Sequence, residues 1–254
     1  MEISIVLPAF KEEENLKILL PKINNTLNEM NILYEVLVVD AMSPQDGTYD
    51  ICKENKVKYT NRKHGNLYGD AIRTGIDIAT GKWIIILDAD GSHNPKDFKN
   101  LYNKVIEGYD IVVGSRYANG GNSHNGAILK LMSFIVNSVY RVAFQFKLKD
   151  ISNSFRIYNA NQLKQLQLTS NNFDIVEEIL ILYSIEFPDY KFCEIPIYFD
   201  KRLFGDSKRD LLKFSLSYLK SIIHLLSVKR NAKNSKMESN YKKEKREYSN
   251  HMGD

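Results

Sequence analysis

The chain has 254 residues, with 35 Lys and Arg against 31 Asp and Glu, a formal net charge of +4. A hydrophobic content of 43% with 26% charged residues excludes a disordered or collagen-like chain and allows one large α/β domain with a sizeable core. The excess charge is local: residues 229–254 hold eight basic and four acidic side chains, which leaves 27 of each in residues 1–228. A neutral body argues against nucleic acid as a partner, because such proteins carry a basic face on their folded part. Cys52 and Cys193 are too few for a disulfide framework or a four-ligand zinc site, and they read as buried, inert thiols of a cytosolic protein.

In chain order, Ile3–Leu7 is an apolar strand stopped by Pro8, and Glu12–Asn28 has acidic residues at its start and helical apolar spacing. Tyr34–Val39 is a buried strand ending in Asp40. Asp46–Glu54 reads as a short helix, Lys56–Thr60 as a strand and Leu67–Ala79 as a helix. Trp83–Leu87 is a buried strand running into Asp88-Ala89-Asp90, Pro95 opens a helix to Glu107, and Ile111–Val113 is the next strand. Strands alternating with helices in this way predict a mainly parallel sheet covered on both faces. Ligands of such sheets bind beyond the carboxyl ends of the strands, where Pro8–Glu12, Asp40, Asp88–Asp90 and Ser115-Arg116 fall.

The second half opens with a polar loop, Gly120–Gly126, and holds a strand at Phe155–Tyr158, a helix at Asp174–Tyr183 and a strand at Lys191–Tyr198. Two amphipathic helices are predicted at 128–146 and 208–230. Their narrow polar stripes are Lys130, Ser133, Asn137, Arg141 and Gln145 in the first, and Asp210, Lys213, Ser217, Lys220, His224 and Ser227 in the second. Such helices either lie in a membrane interface or pack on the sheet or a second copy. The domain is predicted over 1–228, followed by a disordered basic tail over 229–254. No signal peptide and no apolar run approaching roughly 18 residues is visible. The expected location is therefore the cytoplasm, peripheral to a membrane.

Asp88-Ala89-Asp90 is the strongest chemical signal. Two carboxylates one residue apart at the end of a buried strand suit one hard divalent cation, Mg²⁺ or Mn²⁺, with substrate phosphates completing its shell. Asp40 can accept hydrogen bonds from a nucleobase or simply cap a turn, and Phe10 can offer a ring to a base or close an ordinary turn.

The ordered motifs resemble those of the family 2 glycosyltransferases, and among them the polyprenyl- or dolichol-phosphate mannosyltransferases. They are Val6-Leu-Pro-Ala-Phe-Lys-Glu12, Val38-Val-Asp40 with Ser43-Pro44 and Asp46-Gly-Thr48, Ala79-Thr-Gly81, and Leu87-Asp-Ala-Asp-Gly-Ser-His93. Gly114-Ser-Arg-Tyr117, Ser154-Phe-Arg-Ile-Tyr158 and Glu194-Ile-Pro-Ile197 follow, and the last leads to Arg202, Gly205 and Ser207-Lys208. The resemblance implies a GT-A fold and transfer of a hexose from a nucleotide sugar, GDP-mannose first, to a polyprenyl phosphate. It implies donor contacts at Pro8, Phe10, Glu12, Val38, Asp40, Asp88, Ala89 and Asp90. Arg116, Arg202 and Lys208 would hold phosphates beside the catalytic Asp90, Asp88 and Asp90 would hold the metal, and Lys130 and Ser133 would meet the acceptor phosphate. Another nucleotide sugar such as UDP-glucose, a saccharide acceptor, or a non-catalytic nucleotide-sugar or membrane-docking module are the alternatives. A membrane-protein partner or a homodimer is also compatible. The sequence departs from the family pattern at Ala41, where a second aspartate is usual, at Gln45, at Phe10 and at Gly91-Ser92.

Overall fold

The structure, a computed structural model, describes residues 1–124, 126–205 and 220–232. Its centre is a seven-stranded sheet. The strands are β1 (Ile3–Pro8), β2 (Tyr34–Asp40), β3 (Lys58–Asn61), β4 (Trp83–Ile86), β5 (Ile111–Ser115), β7 (Arg156–Asn159) and β8 (Phe192–Pro196), in spatial order β3-β2-β1-β4-β7-β5-β8. All run parallel except β7, which is antiparallel to both β4 and β5. A small second sheet pairs β6 (Asn122–Ser123), inside the expected Gly120–Gly126 loop, with β9 (Tyr198–Phe199). The single strand expected over Lys191–Tyr198 is thus two, because β8 and β9 serve different sheets.

The strands are apolar throughout because both faces are covered. Side chains alternate between two cores: Ile3, Ile5 and Leu7 of β1 meet one and Val6 the other, and Val36 and Val38 of β2 oppose Leu37 and Val39. One core is closed by α1 (Glu13–Glu29), α2 (Thr48–Glu54) and α4 (Phe98–Ile106), the last entered through a 3₁₀ turn at Pro95–Asp97. The other is closed by α3 (Tyr68–Ile78), α5 (Ala127–Phe144) and α7 (Ile175–Glu186), with the short α6 (Ala160–Leu163) preceding α7.

α5 ends at Phe144 rather than 146, with Gln145 in the left-handed conformation that stops a helix (φ 59°). Of the second amphipathic segment, 206–219 lies outside the described residues, and 220–232 is helical (α8). α8 runs past the expected helix end at 230, so residues 229–232, read from sequence as the start of a disordered tail, are helical. Leu225 is buried in the core, and Lys229 donates to the Phe144 carbonyl at the end of α5 (3.1 Å). A cation there complements the helix dipole. Tail residues 233–254 lie outside the described residues. Cys52 and Cys193 are unpaired, and burial pushes their thiols up to about 12 and about 11, so both stay protonated.

Candidate active site

The carboxyl ends of β1, β2, β4 and β5 share one edge of the sheet. β7 runs the opposite way, so the segment leading into it, Asp150–Phe155, also reaches that edge.

At the β1–β2 end, Asp40 is fully buried. Its Oδ1 accepts the Ala41 amide (2.7 Å) and its Oδ2 accepts the Tyr59 hydroxyl (3.1 Å). Burial raises its pKa, and the two hydrogen bonds oppose that shift. Asn61 donates to the Ala41 carbonyl (2.6 Å), and Arg62 donates to the Ala9 carbonyl (2.6 Å) with its guanidinium 5.9 Å from the Phe10 ring centroid. Pro8 ends β1 in register with Val39. Val38 and Ala89 carry side chains buried in the core, so as contacts to a nucleotide they offer only main chain. β-Strand alternation puts Val38 on the inner face, and the turn seals Ala89.

At the end of β4, Asp88 Oδ1 accepts the Tyr68 hydroxyl (2.9 Å), and Tyr68 stacks on Phe173 with centroids 4.2 Å apart. Asp90 Oδ1 accepts both the amide (3.0 Å) and the hydroxyl (2.6 Å) of Ser92. Gly91 has φ 78°, and a Cβ there would fall 2.5 Å from Leu203. Only glycine both adopts this conformation and leaves room for the approaching chain.

That chain is a strap over residues 200–205. Asp200 donates its amide to the Ser92 carbonyl (2.9 Å), and Leu203 donates to the Asp90 carbonyl (3.0 Å). Arg202 donates to both Glu12 carboxylate oxygens (2.9 Å each), and Asn15 accepts the Phe204 amide (2.8 Å). The strap thus ties Arg202 and Glu12, far apart in sequence, to the Asp-x-Asp turn. Lys208 lies outside the described residues.

At the end of β5, Arg116 meets the fully buried Asp150. Its main-chain N–H (2.8 Å) and Nε (2.8 Å) donate to Oδ2, and its Nη2 donates to Oδ1 (2.7 Å). Nη2 also reaches the hydroxyls of Ser133 and Ser152, 3.0 Å each. Asn137 Oδ1 accepts the amides of Ile151 (2.8 Å) and Ser152 (2.9 Å), fixing this segment to α5. Ser133, expected on the acceptor side, is joined to Arg116, whereas the Lys130 side chain stays exposed.

His93 lies between these groups. It is 2% exposed, and its ring centroid is 5.0 Å from those of both Phe155 and Phe199. Neither ring nitrogen has a hydrogen-bond partner among the described residues. Burial lowers its pKa, while Asp88 and Asp90 pull the other way, so the imidazole is neutral.

α5 turns Ser133 and Asn137 toward the Arg116 node and Tyr140 and Phe144 into the core, and its exposed surface is mostly apolar, with Lys130 and Arg141 also on it. Asn137 is 2% exposed, while Ile128 (73%), Leu131 (60%), Phe134 (57%) and Val142 (81%) face outward. By length and composition α5 is the one helix among the described residues that could cross a membrane. This departs from the expectation of no such stretch, because the stripe of Lys130, Ser133, Asn137 and Arg141 interrupts the apolar run without much lowering its overall hydropathy.

Asp150, Tyr59, Tyr68, Arg62 and Asn137 are not visible in the sequence as parts of one site, and of the 200–205 strap only Arg202 and Gly205 are. The only available signal for Asp150 was its place just before the Ser154-Phe-Arg motif.

The sequence model of glycosyl transferase family 2 matches residues 4–167. The chain belongs to glycosyl transferase family 2. It is 32% identical over 234 residues to a dolichol-phosphate mannosyltransferase of Pyrococcus furiosus, covering 89% of this chain and 64% of that protein's length. It is 28% identical over 215 residues to a polyprenol monophosphomannose synthase of Mycolicibacterium smegmatis, covering 80% of this chain and 79% of that one. The fold is GT-A. The crystal structure of glucosyl-3-phosphoglycerate synthase from Mycobacterium tuberculosis with phosphoglyceric acid superposes with a TM-score of 0.68 at 16% identity, covering 89% of this chain and 79% of that one. The same enzyme has been crystallised with Mn²⁺, uridine diphosphate and glucosyl-3-phosphoglycerate.

Proposed function

We propose that this family 2 member is an inverting, metal-dependent glycosyltransferase that moves mannose from GDP-mannose to a polyprenyl phosphate at a membrane surface. The observation that carries this reading is α5. Its inward side is bonded to the Arg116–Asp150 node beside the Asp-x-Asp turn, and its outward side is mostly apolar. One helix therefore joins a phosphate-handling site to a lipid-compatible surface. The relatives named for dolichol- and polyprenol-phosphate mannose synthesis support the same reading. In this reading the catalytic unit includes α5 and the second amphipathic segment as interfacial helices, and the protein sits peripherally on the cytoplasmic face.

Asp88 and Asp90 fit a hard divalent ion. They are oxygen donors on one turn, and no cluster of three or more His, Cys, Asp or Glu forms among the described residues. The rest of the shell thus falls to diphosphate and water, as Mg²⁺ and Mn²⁺ accept. When bound, the ion neutralises charge developing on the departing nucleotide diphosphate.

The chain's own residues do the remainder. Asp40, Tyr59, Asn61 and Phe10 shape the nucleoside end, with Pro8 and the Val38 and Ala89 main chain framing it. Arg202, held by Glu12, and Lys208 take the diphosphate. Asp150 fixes the Arg116 guanidinium so that it meets phosphate without reorganising. Ser133 and Lys130 belong to the acceptor side. A phosphate acceptor is already anionic at neutral pH and needs positioning more than a general base. In-line attack by its oxygen then inverts the anomeric carbon.

A uridine-nucleotide sugar donor is the second reading, favoured by buried Ala41 where the mannosyltransferase pattern has a second aspartate. The deciding assay incubates purified protein, Mn²⁺ and a short polyprenyl phosphate with labelled GDP-mannose and, in parallel, labelled UDP-glucose. A mild-acid-labile, organic-extractable product from GDP-mannose is expected. Label in lipid from UDP-glucose alone would transfer the assignment to the second reading, and no lipid product from either would refute both.

A further inference from the structure

We propose that a groove at the flank of α5, between its exposed face and the 149–152 segment, is a binding site for the headgroup of an anionic membrane phospholipid, separate from the acceptor site. The proposal rests on the membrane reading above and goes beyond it by naming the lipid chemistry and the residues. The groove encloses about 270 Å³ and is lined by Tyr117, Phe134, Asn137, Ser138, Arg141 and Lys149. Arg141 and Lys149 are exposed, and among the described residues neither side chain has a hydrogen bond or ion pair. They leave two positive charges around one concavity with no carboxylate in its lining.

Asn137 and Ser138 in the lining are already committed, which leaves the Tyr117 hydroxyl as a further donor. Asn137 holds the Ile151 and Ser152 amides, and Ser138 donates to the Phe134 carbonyl (2.8 Å). An anion is what the remaining donors of Arg141 and Lys149 can take, and a phosphodiester suits the planar guanidinium fork. The occupant is a lipid rather than a soluble phosphate because the same stretch of helix presents Phe134 and Val142 outward. A helix docked by those side chains puts long cationic neighbours at headgroup depth. The groove is distinguished from the acceptor site by its lining, which contains none of Arg116, Ser133 and Lys130. Asn137, which walls the groove, is also bonded to the 151–152 segment on which the Arg116 node rests.

The test is co-sedimentation of the full chain with vesicles of phosphatidylcholine alone and of phosphatidylcholine with phosphatidylglycerol, using wild type and the Arg141→Gln/Lys149→Gln double variant. Both side chains are exposed, so the thermal midpoint should be unchanged. Wild type should partition more strongly onto the anionic vesicles. The double variant should lose roughly 30-fold of that preference, at about 1 kcal/mol per cation near an anionic surface, and keep its binding to phosphatidylcholine alone. An undiminished anionic preference would overturn the headgroup site and leave the membrane reading standing. Failure of wild type to bind either vesicle would overturn both. A variant with normal vesicle binding but a raised KM for polyprenyl phosphate would make the groove an acceptor subsite and refute the proposal.

Discussion

Asp90 shows how a single carboxylate can be both folded into a turn and kept for chemistry. One oxygen caps Ser92, and an asparagine can accept the same two bonds through its own Oδ1. Asp90→Asn should therefore fold normally while turnover falls about 100-fold or more, the scale seen when a charge-stabilising group is lost. Thermal melting and steady-state transfer separate the two effects, and unchanged turnover would remove Asp90 from the site. His93 poses the opposite question, since its two nitrogens, without partners among the described residues, burden the fold. Each unsatisfied buried polar group costs about 1–3 kcal/mol. His93→Leu should therefore raise the unfolding midpoint. A lower midpoint would mean that the imidazole is hydrogen-bonded in solution.

At the scale of elements, α5 and the Ala79-Thr-Gly81 motif part company. The motif belongs to the scaffold. Thr80 donates through its amide (2.6 Å) and hydroxyl (2.7 Å) to Glu35, Gly81 donates to the Ser4 hydroxyl (2.8 Å), and Ser4 donates to Glu35 (2.6 Å). These bonds lace β1, β2 and β4 together at the edge opposite the site. In the proposed function α5 meets the membrane, and on that reading changing Phe134 and Val142 together to Glu should abolish vesicle binding and transfer to long-chain acceptor. It should spare the thermal midpoint, because both side chains are exposed. Loss of folding in that variant would instead place this face in a protein core or interface. The helix and its 3- and 4-residue polar spacing were legible in the sequence. Which side turns inward was not, because an amphipathic pattern has the same period whether its polar stripe meets water or a buried Arg116–Asp150 pair.

For the molecule as a whole, pH dependence follows from the two carboxylates on β2. Burial tends to raise Glu35, but hydrogen bonds from Lys58, Ser4 and Thr80 outweigh it and bring its pKa down to about 2 from 4.5. A carboxylate lowered on folding contributes stability that is complete above its unfolded value and lost as pH falls through the folded one. Acid unfolding should therefore begin below about pH 4.5 and deepen toward pH 2, and Glu35→Gln should flatten that limb. Asp40, raised by burial, has the opposite sign: it takes up its proton earlier and offsets part of the loss. Denaturant midpoints measured from pH 7 to pH 2 on wild type and Glu35→Gln check the slope. An identical slope in both would exclude Glu35 as its source.

By itself the sequence determined the α/β class, the strands that lead to Asp40, Asp88 and Arg116, and the family. These depend on local apolar runs and on the order of short motifs, both written along the chain. Tertiary structure alone decided the reversed direction of β7, which brings Asp150 under Arg116, and the return of the 200–205 strap to Glu12 and Asp90. It also decided that Val38 and Ala89 face the core while Ser133 and Asn137 face the site. The physical reason is that strand direction, long-range hydrogen bonds and helix rotation are set by which neighbours complete a buried group's bonding. Those neighbours lie 34 residues away for Arg116 and Asp150 and 190 for Arg202 and Glu12, beyond any pattern local sequence can carry.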